Sequence, residues 1–268
     1  MPMLDTLKKC RILNGNALKI IAAVTMFIDH FGLMFYPQHM IFRIIGRLAM
    51  PLFAFMIAES ARYTRNKIKH FAMLFGLGAI CQIVYYFFAN STYLSILITF
   101  SMSTLILYAL EAFKTSLFAE YSAKTQKMLP PPLISSFVLI LTITGAYWVC
   151  KSYKVDYGFW GCMMPVFANL FDFRAVKKTL NENEKTIPNW IGKIDVLPLR
   201  VACFAVGMLL FHFLSKTPLP TAWMFLTIPL LLMYNGEKGK KDMKYFFYIF
   251  YPLHLVTLEG LYMLMQKL

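Results

Sequence analysis

Apolar residues in this chain come in long, nearly unbroken runs, not in the spaced stripe of a surface helix. LKIIAAVTMFIDHFGLMF opens the series, and runs like it recur to the end. Crossing a bilayer takes about 20 predominantly apolar residues, and on that measure the pattern predicts about nine spans. They cover approximately residues 18–35, 41–59, 71–88, 94–110, 133–149, 158–171, 194–213, 222–234 and 245–265. The sixth and eighth are short, so each either tilts into a cavity or stops partway. Pro130, Pro131 and Pro132 mark the start of the fifth span, and Pro218 and Pro220 that of the eighth. Proline is tolerated at a helix start, where its missing N–H would have been unpaired anyway. Pro252, in mid-span, is expected to kink the ninth. The first span contains Asp29 and lacks a small-residue cleavage site, so it reads as a retained helix and not a signal peptide. Residues 172–193 read as a polar, partly ordered loop. The expected fold is an all-α integral membrane protein, a polytopic bundle of about nine transmembrane helices, with residues 1–268 forming one membrane domain.

Composition agrees with the pattern. The 268 residues are 59% hydrophobic and 15% charged, with a mean hydropathy of +0.57, far too apolar for a soluble domain. A net charge of +14 would suggest nucleic acid in a soluble protein. Here the cations fall in short loops between apolar runs, where they set topology, so no nucleic-acid partner is expected. Lys8, Lys9, Arg11 and Lys19 flank the first span. Arg62, Arg65, Lys67 and Lys69 follow the second, and Lys114, Lys124 and Lys127 the fourth. Arg174, Lys177, Lys178, Lys185 and Lys193 follow the sixth, and Lys238, Lys240, Lys241 and Lys244 the eighth. With nine spans all these loops share one side, which places the N-terminus in the cytoplasm and the C-terminus outside. Lys151, Lys154 and Lys216 are the main exceptions. The five cysteines, Cys10, Cys81, Cys150, Cys162 and Cys203, show no metal-ligand spacing and read as free thiols used in packing; no metal is expected.

Ionisable residues at membrane depth are expensive and mark functional sites by default. Asp29 and His30 lie inside the first span, and Arg43, Arg47 and Glu59 lie in or beside the second. Lys19 and His30 are eleven residues apart. On a helix that separation is about 1100° of turn and about 16 Å of rise, so the two share a face within roughly 20°. The geometry suits a long ligand held by its charged end at Lys19 and reacting near His30, as coenzyme A would with its pantetheine arm. The bland alternative is that Lys19 snorkels to the headgroups. A histidine beside a carboxylate is a plausible general base. Neighbours on a helix point about 100° apart, however, so Asp29 is free to pair with Arg43 or Arg47, which share a face by their i, i+4 spacing. Those arginines either pair structurally with Asp29 or anchor an anionic group or oxyanion. Near the C-terminus, Asn235-Gly236-Glu237-Lys238-Gly239-Lys240-Lys241 is a flexible cationic turn that either holds phosphates or only signals topology. His254, beyond Pro252 and followed by Glu259, is a second candidate for the reaction centre, its alternative role being a structural hydrogen bond. Tyr245, Tyr248 and Tyr251 line either the interface or a cavity.

Several blocks together resemble the TraX family, named for the membrane protein that acetylates the N-terminus of conjugative pilin. They are LKIIAAVTMFIDHFG, RIIGRLAMPLFAFMIAESARYTRN, DYGFWG, and LMYNGEKG followed by KYFFYIFYPLHL. They run from near residue 18 to 258 in family order. The family is similar in turn to a wider group of transmembrane acyltransferases, among them bacterial enzymes that O-acylate surface sugars, and in those sugar acylators a basic residue and a histidine eleven apart on the first helix matter. Lys19 and His30 stand at those positions, lysine keeping the charge. The resemblance implies acetyl transfer in a bacterial cytoplasmic membrane, from acetyl-CoA on the cytoplasmic side to an acceptor amine or hydroxyl outside. The acceptor classes are a peptide or pilin N-terminus, a glycan or a small molecule. His30, Asp29, Arg43, Arg47 and His254 are then the catalytic candidates, with His30 as general base or as a transiently acetylated group. Lys19, Arg62, Arg65, Asn235, Lys238 and Lys240 are the candidates for holding CoA. An ion- or proton-coupled transporter is the alternative, although the halves show no repeat and the span number is odd. A structural subunit of an export or conjugation complex is a third reading.

Overall fold

The structure is a computed structural model describing residues 11–89, 92–121, 131–182, 188–215, 220–241 and 243–267. Lys8, Lys9, Cys10, Lys124, Lys127, Pro130, Lys185, Lys216 and Pro218, used above, lie outside the described residues. The described chain is helical, with two isolated parallel bridges, Leu13 with Tyr234 and Leu94 with Val155. Six of its helical stretches are long and apolar enough to cross a membrane: Gly15–Phe35, Met40–Tyr63, Ile96–Phe118, Pro132–Ser152, Leu197–Leu214 and Tyr245–Gln266. Several present apolar side chains outward, including Leu133, Phe137 and Trp148 in the fourth. That surface fits a lipid bilayer, and the chain is a multi-pass membrane protein.

The chain divides into two compact units, Met1–Met56 with Lys216–Leu268, and Ile57–Ser215. In the first, α1 (Gly15–Phe35) starts at Asn14, whose side chain accepts a hydrogen bond from the Ala17 N–H at 2.9 Å, a standard N-cap. The predicted second span is interrupted. It forms α2 (Met40–Gly46) and α3 (Ala49–Tyr63), with a tight turn at Arg47 and Leu48 between them; α3 passes into the second unit at Ile57. Pro51 sits in the first turn of α3, where its ring costs no helical bond. A short 3-10 helix, Thr221–Leu226, continues into α11 (Thr227–Leu232), and α12 (Lys244–Lys267) remains helical through Pro252. Helix α1 packs against α2 and α12.

The second unit holds α4 (Lys67–Ala89), α5 (Ile96–Tyr121), α6 (Pro132–Ser152), α7 (Gly158–Ala168), α8 (Arg174–Glu182), α9 (Asn189–Ile194) and α10 (Leu197–Leu214). Helix α7 has 11 residues, about 16 Å at 1.5 Å per residue. Its Cys162, Met164 and Ala168 are fully buried, and it packs against α5, α6 and α10. Neighbouring helices surround it, so a short apolar run suffices there. Helix α5 has 26 residues and reaches well past the predicted 94–110. Within the stretch 172–193, expected as a polar loop, the described residues include α8 and most of α9, while 183–187 lie outside the described residues. The amphipathic α8 buries Val176 and Leu180 in a small core with Phe173 and Ile191, joined by Phe118 and Ile194. The polar composition hid this core because only a few of these residues carry its apolar face. Cys81, Cys150, Cys162 and Cys203 are free thiols, with the sulfurs of Cys150 and Cys162 3.8 Å apart. Near the Leu94–Val155 bridge, Tyr93 reaches Asp156 at 3.3 Å. Burial and the Asp156 carboxylate push its hydroxyl up to about 12, so it remains a donor.

Candidate functional site

The cationic turn at 235–241 folds onto the start of α1. The Gly15 N–H donates to the Glu237 carbonyl at 2.7 Å and the Asn16 N–H to the Lys238 carbonyl at 3.0 Å. The Asn16 side chain donates to the Lys241 carbonyl at 2.7 Å. A helix leaves its first four N–H groups without intrahelical partners; here the turn's carbonyls and Asn14 take three of them. The helix terminus is therefore occupied by protein, and any anion at this mouth would be held by lysine side chains. Lys238 and Lys240 are exposed on the turn. Lys19, one turn into α1, lies over the Phe247 ring of α12 at 5.8 Å. Asn235 accepts the Glu237 N–H at 2.9 Å, which shapes the turn. Gly239 has φ +100°, and a Cβ there would run into Asn14 and Asn16, so the sequence needs glycine at this point.

Fifteen residues past Gly15, about 22 Å along the helix, α1 carries the polar centre. Asp29 is buried and binds both predicted arginines. Arg43 Nη1 lies 2.9 Å from Oδ1, and Arg47 Nη2 lies 3.3 and 3.2 Å from Oδ1 and Oδ2. Arg47 also donates from Nε to the Arg43 carbonyl at 3.2 Å, across the turn that interrupts the second span. That break aims both guanidinium groups at one carboxylate. Gly46 makes room: a Cβ there would overlap the Asp29 carboxyl group. Two guanidinium groups against one carboxylate leave this cluster with a surplus of one positive charge.

His30 faces away from Asp29 and toward α12. Its Nδ1 is 3.1 Å from His254 Nε2, and the rings stack at 5.1 Å and 19°. His254 is buried. Its Nδ1 is 2.9 Å from the Phe250 carbonyl oxygen, and the Phe250 ring stacks on it at 5.0 Å and 10°. The unit thus joins a proton-accepting pair of imidazoles to a locally cationic cluster on the neighbouring residue of one helix. Such a combination can remove a proton from an incoming nucleophile and favour a developing negative charge. Among the described residues, no three His, Cys, Asp or Glu side chains are arranged to hold a metal ion.

The other predicted residues are placed differently. Arg62 belongs to the second unit and is committed there to Asp172 at 2.9 Å, Asp195 at 2.9 Å and Glu59 at 3.5 Å. Its donors serve protein carboxylates, which a sequence count of loop cations has no means of seeing. Arg65 is exposed in the bend between α3 and α4. Glu59 also meets Arg200 at 2.7 Å, and Arg200 donates to the Ala168 carbonyl and the Asn169 side chain. Lys114 donates to the carbonyls of Asn169, Leu170 and Asp172 at 2.7, 3.1 and 2.8 Å, closing the C-terminal end of α7. His70, which no motif flagged, bonds Ser60 at 3.1 Å and Tyr108 at 2.5 Å. The Phe250 carbonyl, which holds His254, was equally hidden, since a backbone oxygen leaves no mark in sequence.

The chain is 26% identical over 260 residues to a probable fimbrial assembly protein FimC, serogroup H1, of Dichelobacter nodosus, covering 93% of this chain and 96% of that one. An uncharacterized protein of Rickettsia prowazekii is 55% identical over 40 residues, 15% of this chain and 16% of its own. No solved structure matches. The TraX protein family matches over residues 14–262, a stretch that takes in both the capped start of α1 and the His30–His254 pair, and the chain belongs to that family.

Proposed function

We propose that this protein is a membrane-embedded acyltransferase that moves an acetyl group from cytoplasmic acetyl-CoA to an amine or hydroxyl at the outer side of a bacterial cytoplasmic membrane. The TraX resemblance favours a peptide N-terminus, such as that of a pilin, as the acceptor, and a relative that is a probable fimbrial assembly protein is in keeping with it. One observation carries the reading: a single helix, α1, has the Lys19 and Lys238–Lys240 mouth at one end and the His30–His254 pair with Arg43 and Arg47 about 16–22 Å along it. CoA phosphates sit at the lysines, and the pantetheine arm follows the helix to His30. His30 takes the proton of the acceptor as its nitrogen or oxygen attacks the thioester carbonyl. The surplus charge at Arg43 and Arg47 favours the oxyanion. The C–S bond then breaks, the CoA sulfur recovers the proton from His30, and acetylated acceptor and CoA–SH leave on opposite sides.

The charge alternation of five loops supports nine crossings with a cytoplasmic N-terminus. That count includes α7 and the 221–232 segment as short or partial crossings. A reporter joined after Lys267 is expected to read the outside, and one placed among Arg62–Lys69 the cytoplasm; matching compartments would end the nine-span arrangement. The chemistry is tested by incubating the purified protein in lipid nanodiscs with labelled acetyl-CoA and membrane extracts, then following label into peptides and glycans by mass spectrometry. Label transfer is the expected result. Absence of transfer and of any CoA effect on thermal stability, together with proton flux in proteoliposomes, would replace the enzyme with a transporter.

A further inference from the structure

We infer that His254 is a positioning residue: with the Phe250 carbonyl, it fixes the proton of His30 on Nδ1 and leaves His30 Nε2 as the bare, proton-accepting nitrogen. The inference deepens the acyl-transfer reading above and rests on it for the reaction, though not for the proton arrangement. The argument is one of donors and acceptors. A carbonyl oxygen only accepts, so His254 Nδ1, 2.9 Å from Phe250 O, carries the proton. A neutral imidazole has one N–H, so His254 Nε2 carries a lone pair. That lone pair lies 3.1 Å from His30 Nδ1, which therefore donates. By the same count His30 Nε2 is left with its lone pair. The direction of the chain is set at its carbonyl end and cannot be reversed while both rings are neutral.

In a serine-protease triad the part of His254 is played by a carboxylate, which holds the histidine tautomer and supports the imidazolium. The nearest carboxylate in sequence, Asp29, is unavailable, because Arg43 and Arg47 hold it on the other side of α1. An imidazole backed by a carbonyl does the same work without adding a buried negative charge, which is costly at membrane depth. The Phe250 ring stacked on His254 fixes the plane of the relay. When His30 gains a proton at Nε2, its bond to His254 becomes charge-assisted and strengthens at the moment of transfer.

The test is ring-nitrogen NMR of the full-length protein, labelled with 15N-histidine, in nanodiscs at neutral pH. The two rings are assigned by comparison with His30→Asn and His254→Gln. The expected spectrum has both His30 and His254 protonated on Nδ1 and bare on Nε2; a proton on His30 Nε2 overturns the inference. In turnover, His254→Ala is expected to lower kcat about 10- to 100-fold, with KM for acetyl-CoA unchanged. His254→Gln should recover much of that loss, because its amide oxygen accepts the His30 Nδ1 proton. Equal activities for Ala, Gln and wild type would also overturn it. Should the alanine variant fail to fold, the wild-type spectrum decides alone. A wild-type protein that transfers no acetyl group would sink the functional reading, while the spectrum still judges the proton chain.

Discussion

Asp29 and Glu59 are both buried carboxylates gripped by two arginines, yet their surroundings differ in a way that separates chemistry from architecture. In the second unit, three carboxylates, Glu59, Asp172 and Asp195, meet three side-chain cations, Arg62, Arg200 and Lys177, and Lys114 is spent on carbonyls. Every carboxylate of the network has its own cation, and the ion pairs tie α3, α8 and α10 to the segments around them. In the first unit one carboxylate meets two guanidinium groups, and the next residue on the helix joins an imidazole pair. A balanced buried network holds a conformation. An unbalanced one beside an imidazole pair is the arrangement that the proposed acetyl transfer would use.

The largest effect should come from breaking the balanced side. Arg200→Met takes the shorter of its two arginine contacts from Glu59 and leaves the 3.5 Å contact to Arg62; loss of one partner of a buried pair costs about 3–5 kcal/mol. The expected result is a large drop in thermal stability with near-normal turnover by the protein that remains folded. Full stability would show that the network is not structural. On the unbalanced side, His30→Ala should reduce acetyl transfer by about a hundredfold or more while stability and CoA binding persist. If this variant keeps near-normal transfer and His254→Ala is inactive, the base belongs to α12 and not to α1. A smaller effect separates the cations. Lys19→Glu and Lys240→Glu should each weaken CoA binding by about tenfold, as befits loss of one close charge contact at the surface. Arg65→Glu, in the second unit, should change it little. Equal losses at all three, measured by thermal shift against CoA, would show that the donor contact is nonspecific attraction. The smallest effect is expected at Arg62. Arg62→Lys retains the charge but not the fork that reaches Asp172 and Asp195, and so should lower stability modestly with CoA binding intact. A selective loss of CoA binding would return Arg62 to the donor site.

Much of the candidate site was legible because intramembrane charge is rare. Asp29, His30, Arg43, Arg47 and His254 stand out against apolar neighbours, and the i, i+4 spacing of the arginines predicts their shared face. The helical segments were legible for the same reason, since runs of apolar residues leave few other folds in a bilayer. Their boundaries were less so. The break at Arg47 and Leu48 is invisible in a continuous apolar run, and α8 and α9 bury too few residues to disturb a polar composition.

The sequence by itself determined a helical, multi-pass membrane protein, its charged residues, and the TraX blocks that carry them, because hydropathy and spacing are properties of one strand of chain. Partner choice depends on residues far apart along it, and only the tertiary structure decided that. It gave Asp29 to the arginines and His30 to His254, a residue 224 positions away. It laid the 235–241 turn over the start of α1, and it spent Arg62 on an internal network. The physical reason is that a hydrogen bond or ion pair is fixed by distance and direction in space, and a pattern along the chain records neither.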